Sequence, residues 1–185
     1  MKRSLGAQVM PLPSPLWCIG TYDDAGRANM MTASWAGICC SDPPCLAVSI
    51  RRACHSHASV IARKAFTVNV PGQDQARIAD YWGMVSGRDV DKLAAVGLVA
   101  CRAATVDAPY VEEFPVVFEC RLRATHELGL HTQFVGEVLD LRIDETMVDA
   151  AGHCDADRVR PFVLIDGYRG LGTHLGRPFS MGKEG

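Results

Sequence analysis

Two long runs in the second half of the chain alternate apolar and polar residues, VVFECRLRATHEL at roughly 115–127 and TQFVGEVLDLRID at 132–144. That period of two predicts a pair of strands with one solvated face, joined by Leu128-Gly129-Leu130-His131. Earlier, LWCIGTY (16–22) is a short apolar run followed by Asp23-Asp24-Ala25-Gly26, residues that tolerate a tight hairpin turn. The chain then returns as a strand through Ala28–Trp35 and on to Cys40. Ser41-Asp42-Pro43-Pro44 makes a corner, and CLAVSIR (45–51) reads as a buried strand. His57–Lys64 has helical character, and AFTVNVP (65–71) is another strand. QDQARIADYW (73–82) suits an amphipathic helix with Ala76, Ile78, Ala79 and Trp82 inside. Beyond the Ser86-Gly87-Arg88 loop, Asp89 is read as an N-cap and Val90–Val96 as a short helix stopped by Gly97. RPFVLIDGYRGLG supplies a last strand and a Gly-rich end. Strands outnumber helices and pair antiparallel, so a mainly β fold is expected, a small β-barrel with inserted helices outside it.

Composition narrows the class. At 185 residues, 48% hydrophobic and 22% charged, the chain is expected to be one domain over 1–185. A net charge of −2 argues against a nucleic-acid partner, which calls for a dense basic patch. Pro11, Pro13 and Pro15 interrupt any signal-like run, and no stretch is apolar enough for a membrane span, so a cytoplasmic location is expected. None of the eight cysteines forms a C-x-x-C knuckle, so reduced, mostly buried thiols are expected and no metal site. Cys39 and Cys40 should project to opposite sides of their strand.

The candidate chemistry lies mainly between Asn29 and Ile61. No G-x-S-x-G elbow is present, Cys54-His55 lacks an assigned base, and His55 and His57 should diverge on a helix start. Thr32 and Ser34, among small neighbours, can donate hydrogen bonds to a ligand whose backbone approach is close. Ser49 and Arg51 share a face, and Arg51 offers a guanidinium fork for phosphate. His57 sits near the positive end of a helix dipole, while Ser86-Gly87 with Lys92 forms a second hydroxyl loop with a cation in reach. Each element alone has an ordinary structural reading, as a solvated strand residue, a surface charge or a capping loop. Two hydroxyl-rich loops and two cations together point to an anionic ligand.

The run N-M-M-T-A-S-W-A-G-I-C-C-S-D-P-P-C-L-A-V-S-I-R resembles the N-A-M-T-x-S-W…S-x-D-P-P…V-S-I-R block of the flavin reductase-like, flavoredoxin-type proteins. F-T-V-N-V-P (66–71), S-G-R-D-V-D-K (86–92), A-P-Y-V-E-E-F-P-V-V-F-E-C (108–120) and F-V-G-E-V (134–138) are similar to later blocks of that family, in the same order. The resemblance spans roughly residues 10–172. The family carries fewer cysteines where this chain has GICCSDPPC.

The resemblance implies an FMN-binding split β-barrel of antiparallel Greek-key type, working as a homodimer with flavin near the interface. Asn29, Met31, Thr32, Ala33, Ser34 and Trp35 would approach the ring and ribityl chain. Ser49, Ile50 and Arg51 would lie beneath, with Arg51 on the phosphate. His57, Ser86, Gly87 and Lys92 would complete the phosphate end or the partner-facing wall. The cofactor is expected to be FMN rather than FAD, with NAD(P)H as co-substrate and no catalytic side chain, since the flavin carries the chemistry. The implied activity is that of an NAD(P)H:FMN oxidoreductase or a flavoredoxin-like carrier serving an oxygenase or electron-transfer partner. Two alternatives stand beside it: a non-catalytic flavin-binding carrier without a nicotinamide site, and a cysteine-rich metal-binding sensor.

Overall fold

Alternating apolar positions roll the chain into a curved antiparallel sheet. The computed structural model describes residues 1–176 and 178, so the far end of the span read as one domain lies outside it. Strand β1 is Ser14–Pro15, and β2 (Trp17–Tyr22) turns back into β3 (Ala28–Ala33). In that turn Asp23 accepts the amides of Ala25 at 2.9 Å and Arg27 at 2.8 Å, and Gly26 takes φ 75°. The continuous strand expected from Ala28 to Cys40 is broken. Ser34-Trp35 forms a corner, and β4 (Ala36–Ser41) begins after it and pairs with β5 (Pro44–Arg51).

Helix α1 (His55–Arg63) leads into β6 (Ala65–Val70), and α2 (Ala76–Met84) follows a single 3₁₀ turn. Two short strands come next, β7 (Ala100–Arg102) and β8 (Pro109–Val111). The long pair is β9 (Val116–Leu128) and β10 (His131–Ile143), turning through Gly129 at φ 71°. The tail adds α3 (Ala156–Val159), β11 (Phe162–Leu164) and β12 (Tyr168–Gly170), which form a small sheet with β1.

The main sheet has the order β3-β2-β6-β9-β10-β5-β4, every neighbour antiparallel. Its two ends meet at the Ser34-Trp35 corner, where the Ser49 amide donates to the Trp35 carbonyl at 2.8 Å. The result is a partly open barrel whose strand order is non-sequential, in line with the expected split-barrel type. Ile19, Leu46, Val48, Ile50, Val60, Phe66, Val68 and Phe134 fill it. A second core lies outside, where α2 presses Ala79 and Trp82 onto Cys18 and Met30. Trp82 stacks on Phe114 with centroids 5.4 Å apart, and burying each ring contributes about 1.5–3 kcal/mol. Among the described residues no helix is long and apolar enough to cross a membrane.

Three further expectations are corrected. Residues 90–96 are not a helix; only Ala94–Val96 makes a 3₁₀ turn, ended by Gly97 at φ 71°. Its N-cap position is Leu93, not Asp89, and Asp91 Oδ1 accepts the amides leading into it, Leu93 at 3.1 Å and Ala94 at 3.0 Å. The cysteines divide: Cys18, Cys45 and Cys120 are buried, but Cys39, Cys40 and Cys154 are exposed. Cys39 and Cys40 are both exposed and unbridged, next to a register shift between Ile38 and Cys40 in the pairing with β5.

The β7–β8 hairpin is tied down by the wholly buried Glu119 of β9, which accepts the Thr105 amide and hydroxyl at 2.6 Å each and Arg142 Nε at 2.7 Å. Gly136 of β10 marks the tightest point of the barrel. A Cβ there would overlap the Phe66 ring and lie 2.9 Å from Cys120 Cβ. Gly136→Ala is therefore expected to destabilise the fold by about 1–3 kcal/mol through overpacking. Urea unfolding should show a lower midpoint at unchanged slope.

Candidate functional site

Three chain segments converge outside the barrel: β3, the loop Ala53–Ser56 that opens α1, and the end of α2 with its following loop, Trp82–Lys92. They enclose a cavity of about 290 Å³ lined by Asn29, Met31, Thr32, Cys54, His55, Ser56, Ser86, Gly87, Arg88 and Lys92, among others. The deciding side chain is Lys92. It is only 5% exposed, and its Nζ donates to the Trp82 carbonyl at 2.6 Å. In return Trp82 Nε1 donates to the Lys92 carbonyl at 3.1 Å. No carboxylate pairs with this ammonium among the described residues. Burial accordingly lowers its pKa from 10.5 to about 8. A buried cation facing a cavity is a site for an anion.

Helix α1 adds to that field. Its N-cap is Cys54, no side chain caps the first turn, and that turn holds no acidic residue. The positive end of the helix is thus turned, uncompensated, toward the same cavity. Asn29 fixes the wall: its Nδ2 donates to Ser56 Oγ at 2.8 Å, both residues being buried. Gly87 must be glycine, because a Cβ would overlap Asn29 Oδ1 and come within 2.9 Å of His55 Cδ2. Arg88 anchors its guanidinium on the Ala53 carbonyl at 2.8 Å and is part of the cavity lining. The arrangement can grip a phosphate from several sides while Met31 supplies an apolar wall.

Residues 9–164 match the profile of the family described as "Flavin reductase like domain". The chain belongs to this family. It is 43% identical to flavoredoxin of Desulfovibrio vulgaris (Miyazaki F), whose solved structure it matches with a TM-score of 0.93 over 98% of this chain and 100% of that one. Flavoredoxin from Methanosarcina acetivorans matches at 27% identity and a TM-score of 0.92, over 99% and 98% of the two chains. A curated relative, "NADH:riboflavin 5'-phosphate oxidoreductase" of Streptomyces pristinaespiralis, is 28% identical over 131 residues, 71% of this chain and 72% of that protein.

Within this flavin reductase like domain, the structure brings together six of the residues singled out from the sequence: Asn29, Met31, Thr32, Ser86, Gly87 and Lys92. Thr32 has less to offer than expected, since its hydroxyl donates to the Ala79 carbonyl of α2. Ala33 and Ile50 point into the barrel core, because inward and outward positions alternate along their strands. Ser34, Trp35, Ser49 and Arg51 lie off the lining of this cavity. Arg51 ends β5 on the outward face shared with Ser49, exposed and without an ion pair among the described residues.

His57, expected at the phosphate end or the partner-facing wall, is not on the lining of this cavity. Two residues along a helix is about 200° of rotation, so His55 faces the cavity and His57 faces away. His57 Nε2 bonds Thr132 Oγ1 at 2.9 Å, and its ring meets Phe134 edge-on at 5.2 Å. Desolvation there lowers its pKa, opposed by Glu127 nearby. The residues missed from sequence are Cys54, His55, Ser56 and Arg88. The one available signal was a helix start with no Ser, Thr, Asp or Asn cap, which leaves its amides for a ligand.

A pH signature follows from Lys92. Between about 8 and 10.5 the unfolded chain holds more protons at this group than the folded chain, so its burial costs stability below that window and the cost fades as pH rises through it. An anion that pairs with the charged form stabilises most below about 8. Inorganic phosphate is therefore expected to raise the Tm of the ligand-free protein at pH 7 and progressively less above pH 8, as followed by thermal scans across pH. Lys92→Met should abolish the increment and weaken FMN by about 1.5–3 kcal/mol, more than Arg51→Ala does in the same titration.

Proposed function

We propose that this chain is an FMN-binding flavoprotein that transfers electrons as a flavin oxidoreductase. The single observation behind the reading is the buried Lys92 ammonium, which lines a cavity of about 290 Å³ beside an uncapped helix N-terminus. FMN joins a phosphate to a flat ring, and the residues fit both parts. Lys92, the first-turn amides of α1, Ser86 and Arg88 would hold the phosphate. Met31 and the Ser34-Trp35 corner would flank the ribityl chain and ring, with Trp35 left 38% exposed for that contact. When bound, the flavin supplies the redox chemistry, accepting and releasing electrons.

The protein's own part is positioning. Trp82 holds Lys92 against the cavity, Asn29 fixes Ser56, and His57 with Thr132 and Glu127 ties α1 to the β9–β10 hairpin. No cavity side chain needs to act as acid or base. We also place the protein in the cytoplasm, where its free thiols suit a reducing compartment.

The likeness to an NADH:riboflavin 5'-phosphate oxidoreductase supports NAD(P)H as electron donor, while 43% identity to a flavoredoxin supports a carrier that takes electrons from another protein. Stopped-flow mixing of the FMN-loaded protein with NADH and NADPH separates the two. Bleaching of the flavin band at turnover rates supports the reductase, and no bleaching with either donor leaves the carrier. The homodimer reading rests on the edge strand β4, where Ile38 is 80% exposed, three residues after the partly exposed Trp35. Ile38→Lys is expected to shift the purified protein from dimer to monomer in light scattering; an unchanged mass would place the interface elsewhere.

A further inference from the structure

Three thiols meet where β4 pairs with the beginning of β5. Cys40 and Cys45 are direct partners across that pair, and Cys39 is the extra residue of the register shift. Directly opposed residues of an antiparallel pair project to one face, with Cα atoms about 4.5–5.5 Å apart. A disulfide spans Cα separations of about 4.4–6.8 Å, so the backbone holds Cys40 and Cys45 at bridging distance. Both are free thiols. Among the described residues no group of three His, Cys, Asp or Glu side chains is placed to hold a metal ion. From Cys45 to Arg51 the strand runs about 20 Å, so the thiols lie at the other end of β5 from the start of α1 and its cavity.

The two partners differ in access. Cys40 is exposed, and its thiol donates to the Asp42 carbonyl at 3.3 Å, which keeps the sulfur at the turn. Cys45 is buried, and burial first, then the Cys40 sulfur, push its thiol above its ordinary value, with Arg123 opposing. A reagent from solution can reach the exposed sulfur. The buried, protonated one is reached by its neighbour.

The surroundings select the reagent. The partner of Cys45 on β10 is Glu137. One oxygen of that carboxylate accepts from both Arg121 Nη2 at 3.2 Å and Arg123 Nη1 at 3.1 Å. Two guanidiniums share one carboxylate, so positive charge is left over beside the thiols, on side chains more than half exposed. Such a patch draws in anions.

We propose that Cys40 and Cys45 are a redox-active dithiol, oxidised to a cross-strand disulfide by small disulfides that carry carboxylates, with Arg121 and Arg123 as the docking cations. Cys40, its proton lost to water, bonds one sulfur of the reagent; the reagent's S–S bond breaks and one half leaves as a thiolate. Cys45 then releases its proton, bonds Cys40 Sγ and expels the second half. The two thiolates take up the two protons. Two protein thiols and one small disulfide thus become one protein disulfide and two small thiols, with two electrons passing to the reagent.

Incubating the reduced full chain with oxidised glutathione, an anionic disulfide, tests this. Two of the eight thiols should be lost. Cleaving the unfolded product before Asp42 should leave the segments carrying Cys40 and Cys45 joined until reductant is added. Cys39→Ser should keep that bridge, and Cys40→Ser should lose it. Cys45→Ala should stop at one reagent half held on Cys40, a product that a merely structural cysteine pair does not give. Thermal scans check the fold of each variant, and the exposed positions 39 and 40 decide the matter if Cys45→Ala does not fold. Replacing Arg121 and Arg123 together by Ser should lower the rate with oxidised glutathione, relative to the cationic disulfide cystamine, by about fivefold or more. No bridge between Cys40 and Cys45, a bridge through Cys39 or between two copies in its place, or an unchanged ratio of rates overturns the proposal.

Discussion

A lysine ammonium taken out of water must find negative charge or give up its proton, and the site is organised around that constraint. Lys92 and Trp82 exchange hydrogen bonds, each side chain donating to the other's carbonyl, so the loop after α2 is clasped to the helix it leaves. One carbonyl dipole is a weak partner for a buried charge. The remaining field is turned into the cavity, where it adds to the uncapped start of α1. The clasp thus places two unsatisfied positive features on one small volume, and the fold carries the cost until a ligand offsets it.

The barrel makes this convergence possible without supplying much of the lining. β3 offers Asn29, Met31 and Thr32 from one edge of the sheet, and the α1 start arrives from the far end of β5. These ends are neighbours only because the sheet curls until Trp35 and Ser49 share a backbone hydrogen bond. On the other side of α1, a line from His57 through Thr132 and Glu127 to Arg52 holds the helix to the β9–β10 hairpin. The helix therefore has a gripping end and an anchored flank, and they face opposite ways.

Much of the framework was legible in the sequence because it rests on short-range rules. Alternation located β9 and β10, and Asp-Gly chemistry located the turn after β2. The apolar spacing of Ala79 and Trp82 located the inner side of α2. The site was legible where glycine, hydroxyl and cation fell within one loop, as at Ser86, Gly87 and Lys92. It was less so where a side chain's direction depends on tertiary context. Arg51 and Lys92 look equally suited to an anion in sequence, yet one ends a strand on the outer face and the other is drawn inside by Trp82. His55 and His57 differ only by a helical rotation that cannot be assigned until the first helical residue is known. Residues 90–96 read as a helix but fold as a short turn, because Asp91 captures the amides that a helix start at Asp89 would have used. The β7–β8 hairpin escaped notice because its anchor, Glu119, lies on a strand that begins five residues after β8 ends.

The irregularity at Ile38–Cys40 also bears on how the molecule behaves among other chains. β4 is the last strand of the sheet, and a flat, apolar last strand presents its free amides and carbonyls as a template for another strand. One extra residue between Ile38 and Cys40 puts the outer row of backbone groups out of step, so a straight strand cannot follow it. The exposed isoleucine can then meet a matching surface through its side chain, while open-ended strand addition, the route to fibres, is blocked at the backbone.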